Sequence, residues 1–149
     1  MTKPLRIGVL GAGHLGRIHI QQLKELSEWM VVGFHDPHPE KCAAITAEFG
    51  IAAINSVEDL LEQVDVLDIV TPTTSHFELA AEALRKGKHV FIEKPLTQTV
   101  AEADELLALA QKSGKLVQVG HVERFNPAFQ AAHPYFAEPM FIETHRLAQ

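Results

Sequence analysis

Lys94 has the setting best suited to chemistry. It stands in Glu93-Lys94-Pro95, straight after an apolar run, and the proline restricts the lysine backbone to extended conformations. A lysine alone is ordinarily a solvated surface group. At the carboxyl end of a strand beside a nucleotide site, a fixed ammonium can orient a hydroxyl or carbonyl and lower the pKa of a reacting alcohol. Two further groups belong to the same kind of place. Asp36 closes the run Phe34-His35-Asp36-Pro37, and His76 follows Thr71-Pro72-Thr73-Thr74-Ser75. Each leaves the end of an apolar strand, where open α/β sheets bind ligands.

What these groups would act beside is given by residues 7 to 16, I-G-V-L-G-A-G-H-L-G. A short apolar strand runs into Gly11-x-Gly13-x-x-Gly16 and then into a helix. Gly11 permits the tight turn, Gly13 lets backbone approach a pyrophosphate, and Gly16 lets helix and strand pack closely. The anion would sit on the free N–H groups of the helix N-terminus. Asp36 lies 20 residues beyond Gly16, where a carboxylate accepts hydrogen bonds from the adenosine ribose. Its charge would repel a 2′-phosphate and favour NAD over NADP, with His35 and His38 softening that repulsion and leaving NADP admissible. The plainer reading of Asp36 is a turn before Pro37 that helps to start the next helix. For Thr71-Pro72-Thr73-Thr74-Ser75-His76 the plainer reading is a helix N-cap.

The elements that must position these residues alternate along the chain. Strands are expected at Arg6–Leu10, Met30–Phe34, Ala52–Ile54, Asp65–Val70, His89–Glu93 and Leu116–Gly120. V-D-V-L-D-I-V is nearly continuous in apolar residues, which suits a parallel strand covered on both faces. Between strands, Leu15, Ile18, Leu23 and Leu26 form an apolar stripe at helical spacing. Ser56 with Asp59, Ser75 with Glu78 and Thr99 with Glu102 read as helix starts, and Gly50, Gly87 and Gly114 as stops. The expected fold class is α/β, a doubly wound parallel sheet with right-handed crossovers, that is, a Rossmann fold. Residues 1–120 would form this dinucleotide-binding domain. A helix from Pro127 to about Phe136 and a strand beginning near Pro139 would make 121–149 a linker helix and the first strand of a second, truncated α/β domain.

Composition narrows the partners. Thirteen Lys and Arg against nineteen Asp and Glu give a net charge of −6 with no basic run, which disfavours a nucleic-acid surface. No apolar stretch approaches the roughly 18 residues of a membrane span, so no membrane partner is expected. The amino-terminal residues enter the first strand directly, which leaves no room for a signal peptide and makes the cytoplasm the expected compartment. A single cysteine, Cys42, excludes an internal disulfide and a cysteine-based zinc cluster. The nine histidines show no His-x-x-x-His pair on a helix, so metal binding is not expected. The only tyrosine, Tyr135, has Pro139 four residues on, so the Tyr-x-x-x-Lys pair of short-chain dehydrogenases is absent.

Taken together, Gly11-Ala12-Gly13-His14-Leu15-Gly16, Thr71-Pro72 with His76, and Glu93-Lys94-Pro95 resemble the glucose–fructose oxidoreductase / inositol dehydrogenase / MocA family over residues 5 to 147. The resemblance implies an NAD(P)-dependent oxidoreductase that moves hydride between nicotinamide and a secondary alcohol of a sugar or nucleotide sugar. It implies Lys94 as the catalytic residue. Gly11, Gly13, His14, Leu15, Gly16, Asp36, Thr71, Pro72, His76, Glu93 and Lys94 would lie along the cofactor. An Asp/His pair would come from the second domain. Gly120-His121-Val122-Glu123-Arg124-Phe125-Asn126-Pro127 resembles the segment of family members that oxidise the 3-hydroxyl of nucleotide sugars, such as UDP-N-acetylglucosamine 3-dehydrogenases. Arg124 and Asn126, with Lys94, are therefore candidate substrate contacts, their donors suiting phosphate and hydroxyl groups. The plainer reading there is interdomain packing, with Asn126 starting a helix and Phe125 filling a core. A full-length protein would be expected to be a homo-oligomer. Two other readings compete: a regulatory nucleotide-sensing Rossmann module without catalysis, and a non-catalytic family relative acting as a binding partner. The first gives Glu93-Lys94-Pro95 no purpose, and intact Lys94 argues against the second.

Overall fold

The structure is a computed structural model and describes residues 3–136, 138–143 and 145. Among these, the apolar runs form five parallel strands: β1 (Leu5–Leu10), β2 (Trp29–His35), β3 (Val66–Ile69), β4 (His89–Ile92) and β5 (Val117–Val119). Helices α1 (His14–Glu25), α2 (Pro39–Phe49), α3 (Val57–Gln63), α4 (His76–Arg85), α5 (Val100–Ser113) and α6 (Pro127–Ala132) accompany them. The strand order is β2-β1-β3-β4-β5. The chain thus steps outward from β1 to β2 and then returns to lay β3 on the other side of β1. That reversal opens a crevice at the carboxyl ends of β1 and β3.

Both faces of the sheet carry helices, as a doubly wound sheet requires. Leu60 and Leu61 of α3, Leu84 of α4 and Leu106 of α5 close over Leu10, Leu67, Ile69, Val90 and Ile92. On the opposite face, Ile20 of α1 and Ile45 of α2 pack with Val9 and Phe34. Alternation along the strands sorts the side chains, so Leu67 and Ile69 face one way and Val66 and Asp68 the other. Beside α1, over β3 to β5, this second face keeps an apolar hollow of about 610 Å³, bordered by Ile18, Leu23, Leu26, Val66, Asp68 and Phe91 among others.

At the amino edge Arg6 clamps β1 to the start of β3. Its guanidinium donates to both Asp65 carboxylate oxygens, at 2.7 and 3.1 Å, and its backbone N–H donates to Oδ2 at 3.0 Å. These hydrogen bonds hold the Asp65 carboxyl down at about 2. No helix among the described residues is long and apolar enough to cross a membrane.

Several expectations need correction. The strand expected at Ala52–Ile54 is a single bridge from Ala53 to Phe34, because Ser56 already caps α3 and leaves no residues to extend it. The apolar stripe of α1 is only partly its buried face. Gly16 and Ile20 are buried, Leu15 is exposed, and Ile18, Leu23 and Leu26 border the hollow, since the close approach at Gly16 turns the helix onto another side. Ser75 does not cap α4 through its side chain. Its hydroxyl donates towards Thr71 Oγ1 and Pro72 O instead. The helix from Pro127 stops at Ala132 and a 3-10 turn spans His133–Tyr135, because Pro134 has no N–H to continue it. Residues 139–143 and 145 are not in a strand; Thr144, Arg146 and Leu147 lie outside the described residues. Phe125 is exposed among the described residues.

Candidate active site

Strand register brings the candidate residues onto one edge of the sheet. Leu10 stands beside His35 on one side and Ile69 on the other, Ile69 beside Ile92, and Ile92 beside Val119. The next residues along that carboxyl edge are therefore Asp36, Gly11, Val70, Glu93 and Gly120, in spatial order. With strands about 4.8 Å apart, the Gly11 turn and the Glu93-Lys94 turn are roughly 10 Å from each other.

The Gly11 turn is built for an anion. Gly11 has φ +104°, and a side chain there would meet Val70 O at 2.8 Å. A Cβ on Gly16 would overlap the carbonyl oxygen of Gly11, so helix and turn touch backbone to backbone. A Cβ on Gly13 would meet nothing within 4 Å, leaving open space in front of the helix. Gly13 caps α1 without a side-chain hydrogen bond, and the first turn holds no acidic residue. The N–H groups there are thus left for a ligand. His14 and Leu15, the first residues of α1, are exposed.

Asp36 is tied to its own backbone surroundings. Its Oδ2 accepts the Ala12 N–H at 2.8 Å, tying the glycine turn to the end of β2. Oδ1 accepts the His38 N–H at 2.9 Å and lies 2.7 Å from His38 Nδ1. Lys41 Nζ is 4.0 Å away. Burial pushes this carboxyl up, but the hydrogen bonds from Ala12 and His38, with the Lys41 charge, outweigh it and hold Asp36 below the usual carboxylate range.

The Thr71 loop and the Lys94 turn are joined by His76, which is 1 % exposed. Its Nδ1 lies 3.0 Å from Pro95 O and its Nε2 2.9 Å from Thr71 O, so neither ring nitrogen is free for a ligand. Thr71 Oγ1 accepts from Ser75, and Pro72 is exposed. Lys94 is exposed, with its ammonium in no ion pair among the described residues. Glu93, by contrast, is 7 % exposed, and its Oε2 accepts the Lys94 N–H at 3.1 Å.

Sequence reasoning missed what Glu93 faces. His19, two turns into α1, stands 2.9 Å from Asp68 Oδ2 through Nδ1 and 3.4 Å from Glu93 Oε1 through Nε2. The signal was Asp68 itself, an acid in the middle of an apolar strand, which must find a partner when buried.

Beyond Gly120, Arg124 is exposed and borders a small hollow with Phe129, Gln130 and His133. Asn126 caps α6: its Oδ1 accepts the Ala128 N–H at 3.0 Å, and its Nδ2 donates to Glu123 Oε2 at 2.9 Å.

A sheet edge with an open glycine turn, a tied carboxylate and a free ammonium can hold a dinucleotide and set a cation beside its reactive end. The oxidoreductase family model for the NAD-binding Rossmann fold of glucose–fructose oxidoreductase, inositol dehydrogenase and MocA matches residues 5–121. The chain belongs to this family. UDP-N-acetylglucosamine 3-dehydrogenase of Acidithiobacillus ferrooxidans is 41 % identical over 145 residues, covering 97 % of this chain and 46 % of that protein. Its solved structure superposes with a TM-score of 0.83 at 38 % identity, over 91 % of this chain and 44 % of the other. GenD2 from gentamicin A biosynthesis, solved in complex with NAD, gives a TM-score of 0.86 at 25 % identity over 93 % of this chain and 40 % of its own. Biliverdin reductase from Synechocystis, solved with biliverdin and NADP+, gives 0.83 at 29 % identity over 89 % and 42 %. The chain spans less than half the length of these proteins. Both NAD and NADP complexes thus occur on this scaffold, whose family fold is NAD-binding.

Proposed function

We propose that this chain is the cofactor-binding part of an NAD-dependent dehydrogenase acting on a secondary alcohol of a sugar, and within that class on a nucleotide sugar. The observation that carries this reading is the shared edge: the exposed Lys94 ammonium, unpaired among the described residues, follows a strand only two places from the Gly11 turn. Bound NAD would accept or return a hydride at nicotinamide C4. Gly11, Gly13 and Gly16 would seat its pyrophosphate on the N-terminus of α1, and Asp36 would take the adenosine ribose hydroxyls while holding the Ala12 N–H. Lys94 would hydrogen-bond the alcohol oxygen and favour loss of its proton. His76 and Glu93 would serve from behind, fixing the two loops rather than touching the ligand. His14, Leu15, Thr71 and Pro72 would line the cofactor.

The nucleotide-sugar assignment is supported by the 41 % identity to a UDP-N-acetylglucosamine 3-dehydrogenase. Of the residues singled out for it, Arg124 has an exposed guanidinium suited to phosphate, whereas Asn126 spends both polar atoms on the local cap. We infer that residues 1–120 form the cofactor domain and 121–149 a connection into a substrate domain, which the exposed Val122, Phe125, Phe141 and Ile142 support. A cytoplasmic homo-oligomer without nucleic-acid or membrane partners completes the reading.

Lys94→Ala tests the assignment in the full-length protein with NAD and UDP-N-acetylglucosamine. Turnover should fall by a factor of about 100 or more while NAD affinity stays within about threefold, as for loss of a general acid–base group. Unchanged turnover would remove Lys94 from the reaction.

A further inference from the structure

We propose that His19 is a positioning residue, bridging the buried carboxylates of Asp68 and Glu93 and so fastening the helix that begins at the cofactor turn to the turn that carries Lys94. As a role in catalysis this rests on the function proposed above; as a structural device it does not.

The three groups come from three elements. His19 belongs to α1, Asp68 to β3, and Glu93 follows β4. Asp68 is 3 % exposed, and its Oδ1 has no hydrogen-bond partner among the described residues. Two carboxylates facing one ring in so dry a place would repel each other unless a proton lies between them. An imidazolium meets that need. Its Nδ1 is hydrogen-bonded to Asp68 Oδ2 at 2.9 Å and its Nε2 lies 3.4 Å from Glu93 Oε1, and only a protonated ring presents an N–H towards both carboxylates. The edge of the Phe91 ring packs against the imidazole at 5.7 Å between centroids and fixes its plane.

Glu93 cannot easily move elsewhere. A Cβ on Gly120 would stand 2.7 Å from Glu93 Oε1, so the carboxylate occupies the space that the missing side chain leaves. Its second oxygen takes the Lys94 N–H. A displacement of His19 is therefore felt, through one carboxylate, at the backbone of Lys94.

The charge state follows from the same surroundings. Burial works against a charge on His19, but the hydrogen bond and charge of Asp68, and then those of Glu93, outweigh it and raise the ring above the ordinary histidine value. Burial also pushes Asp68 up; the His19 hydrogen bond opposes this and the Glu93 charge adds to it. Asp68 from β3 and Glu93 beyond β4 are the charged groups facing the ring. His89, further back on β4, borders the same hollow and accepts the Leu116 N–H through its own Nδ1. A histidine raised on folding stabilises the fold below its unfolded pKa, and that contribution is lost as pH rises through the folded value. The tie should accordingly be complete in mild acid and loosen above neutrality.

The test is an NMR titration of the His19 ring nitrogens in this chain, followed alongside the Lys94 amide. The expected result is a ring protonated on both nitrogens at pH 6.5, with the Lys94 amide shift moving along the same titration curve. In His19→Gln the Lys94 amide should exchange about tenfold faster or more, the size expected for losing a hydrogen bond to a charged group. Asp68→Asn should lower the midpoint. A ring that is neutral at pH 6, or a Lys94 amide indifferent to the ring's titration, would overturn the proposal even if the variants fail to fold. Adding NAD to the same wild-type samples separates the two readings. Failure to bind would count against the proposed function and leave the ring titration to decide this one.

Discussion

Gly13 and Gly16 are three positions apart and opposite in what a methyl group would meet. On Gly16 it would collide with the Gly11 backbone, which has no side chain to swing away, so Gly16→Ala should destabilise the fold by at least about 2 kcal/mol. On Gly13 it would project into open space. Gly13→Ala should cost about 1 kcal/mol or less in stability. It should nevertheless weaken NAD binding by about tenfold or more, because the methyl stands where a pyrophosphate must approach. Urea denaturation and calorimetric titration check the pair; equal stability losses, or unaltered NAD affinity in Gly13→Ala, would contradict the cradle. The spacing made legible the tight turn at Gly11 and the close packing at Gly16. It did not reveal that Asp36 holds the Ala12 N–H, because that bond depends on how the ends of β1 and β2 lie together. The bridge from Asp68 through His19 to Glu93 was equally hidden, its links spanning 49 and 74 positions and joined only by the β3–β4 register and the packing of α1.

Strands and helices were read well where local chemistry decides them. Thr99 and Glu102 close a full capping box on α5, and Gly50 and Gly114 end α2 and α5 in the left-handed conformation. Reading failed where a neighbour competed for the same group, as Thr71 and Pro72 do for the Ser75 hydroxyl. In α1 the apolar spacing of Leu15, Ile18, Leu23 and Leu26 is only partly the buried side: Leu23 packs against the core, Ile18 and Leu26 border the hollow, and Gly16 and Ile20 are the fully buried residues. The clamp at the amino edge gives this level its own prediction. Asp65 is depressed to about 2 by Arg6, and a depressed carboxylate contributes stability above its unfolded value of about 4 that disappears as pH falls towards 2. Asp65→Asn should therefore lower stability at pH 7 and flatten its decline between about pH 4 and 2. Denaturation series at pH 7 and pH 3 measure both effects; a variant that keeps the wild-type slope would show that the pair does not hold β1 to β3.

Seen whole, the molecule pairs a well-covered face with one left partly bare. The face under α3, α4 and α5 is closed, whereas the hollow beside α1 leaves Ile18, Leu23, Leu26 and Phe91 along an apolar wall of about 610 Å³. The chain should bind the dye anilinonaphthalene sulfonate while fully folded, and Leu26→Gln, at an exposed position on the rim of the hollow, should reduce the fluorescence without shifting the denaturation midpoint by much. No dye binding by the native chain would mean that the hollow is closed in solution.

The central claim is that a glycine turn, a ribose carboxylate and a lysine turn on one sheet edge form a single dinucleotide site. Titrating the labelled chain with NAD and following backbone amides by NMR tests it most directly. Saturable shifts concentrated at Gly11 to Gly16, Asp36, Thr71 and Lys94 are expected. No saturable binding, or shifts confined to the far side of the sheet, would contradict the account.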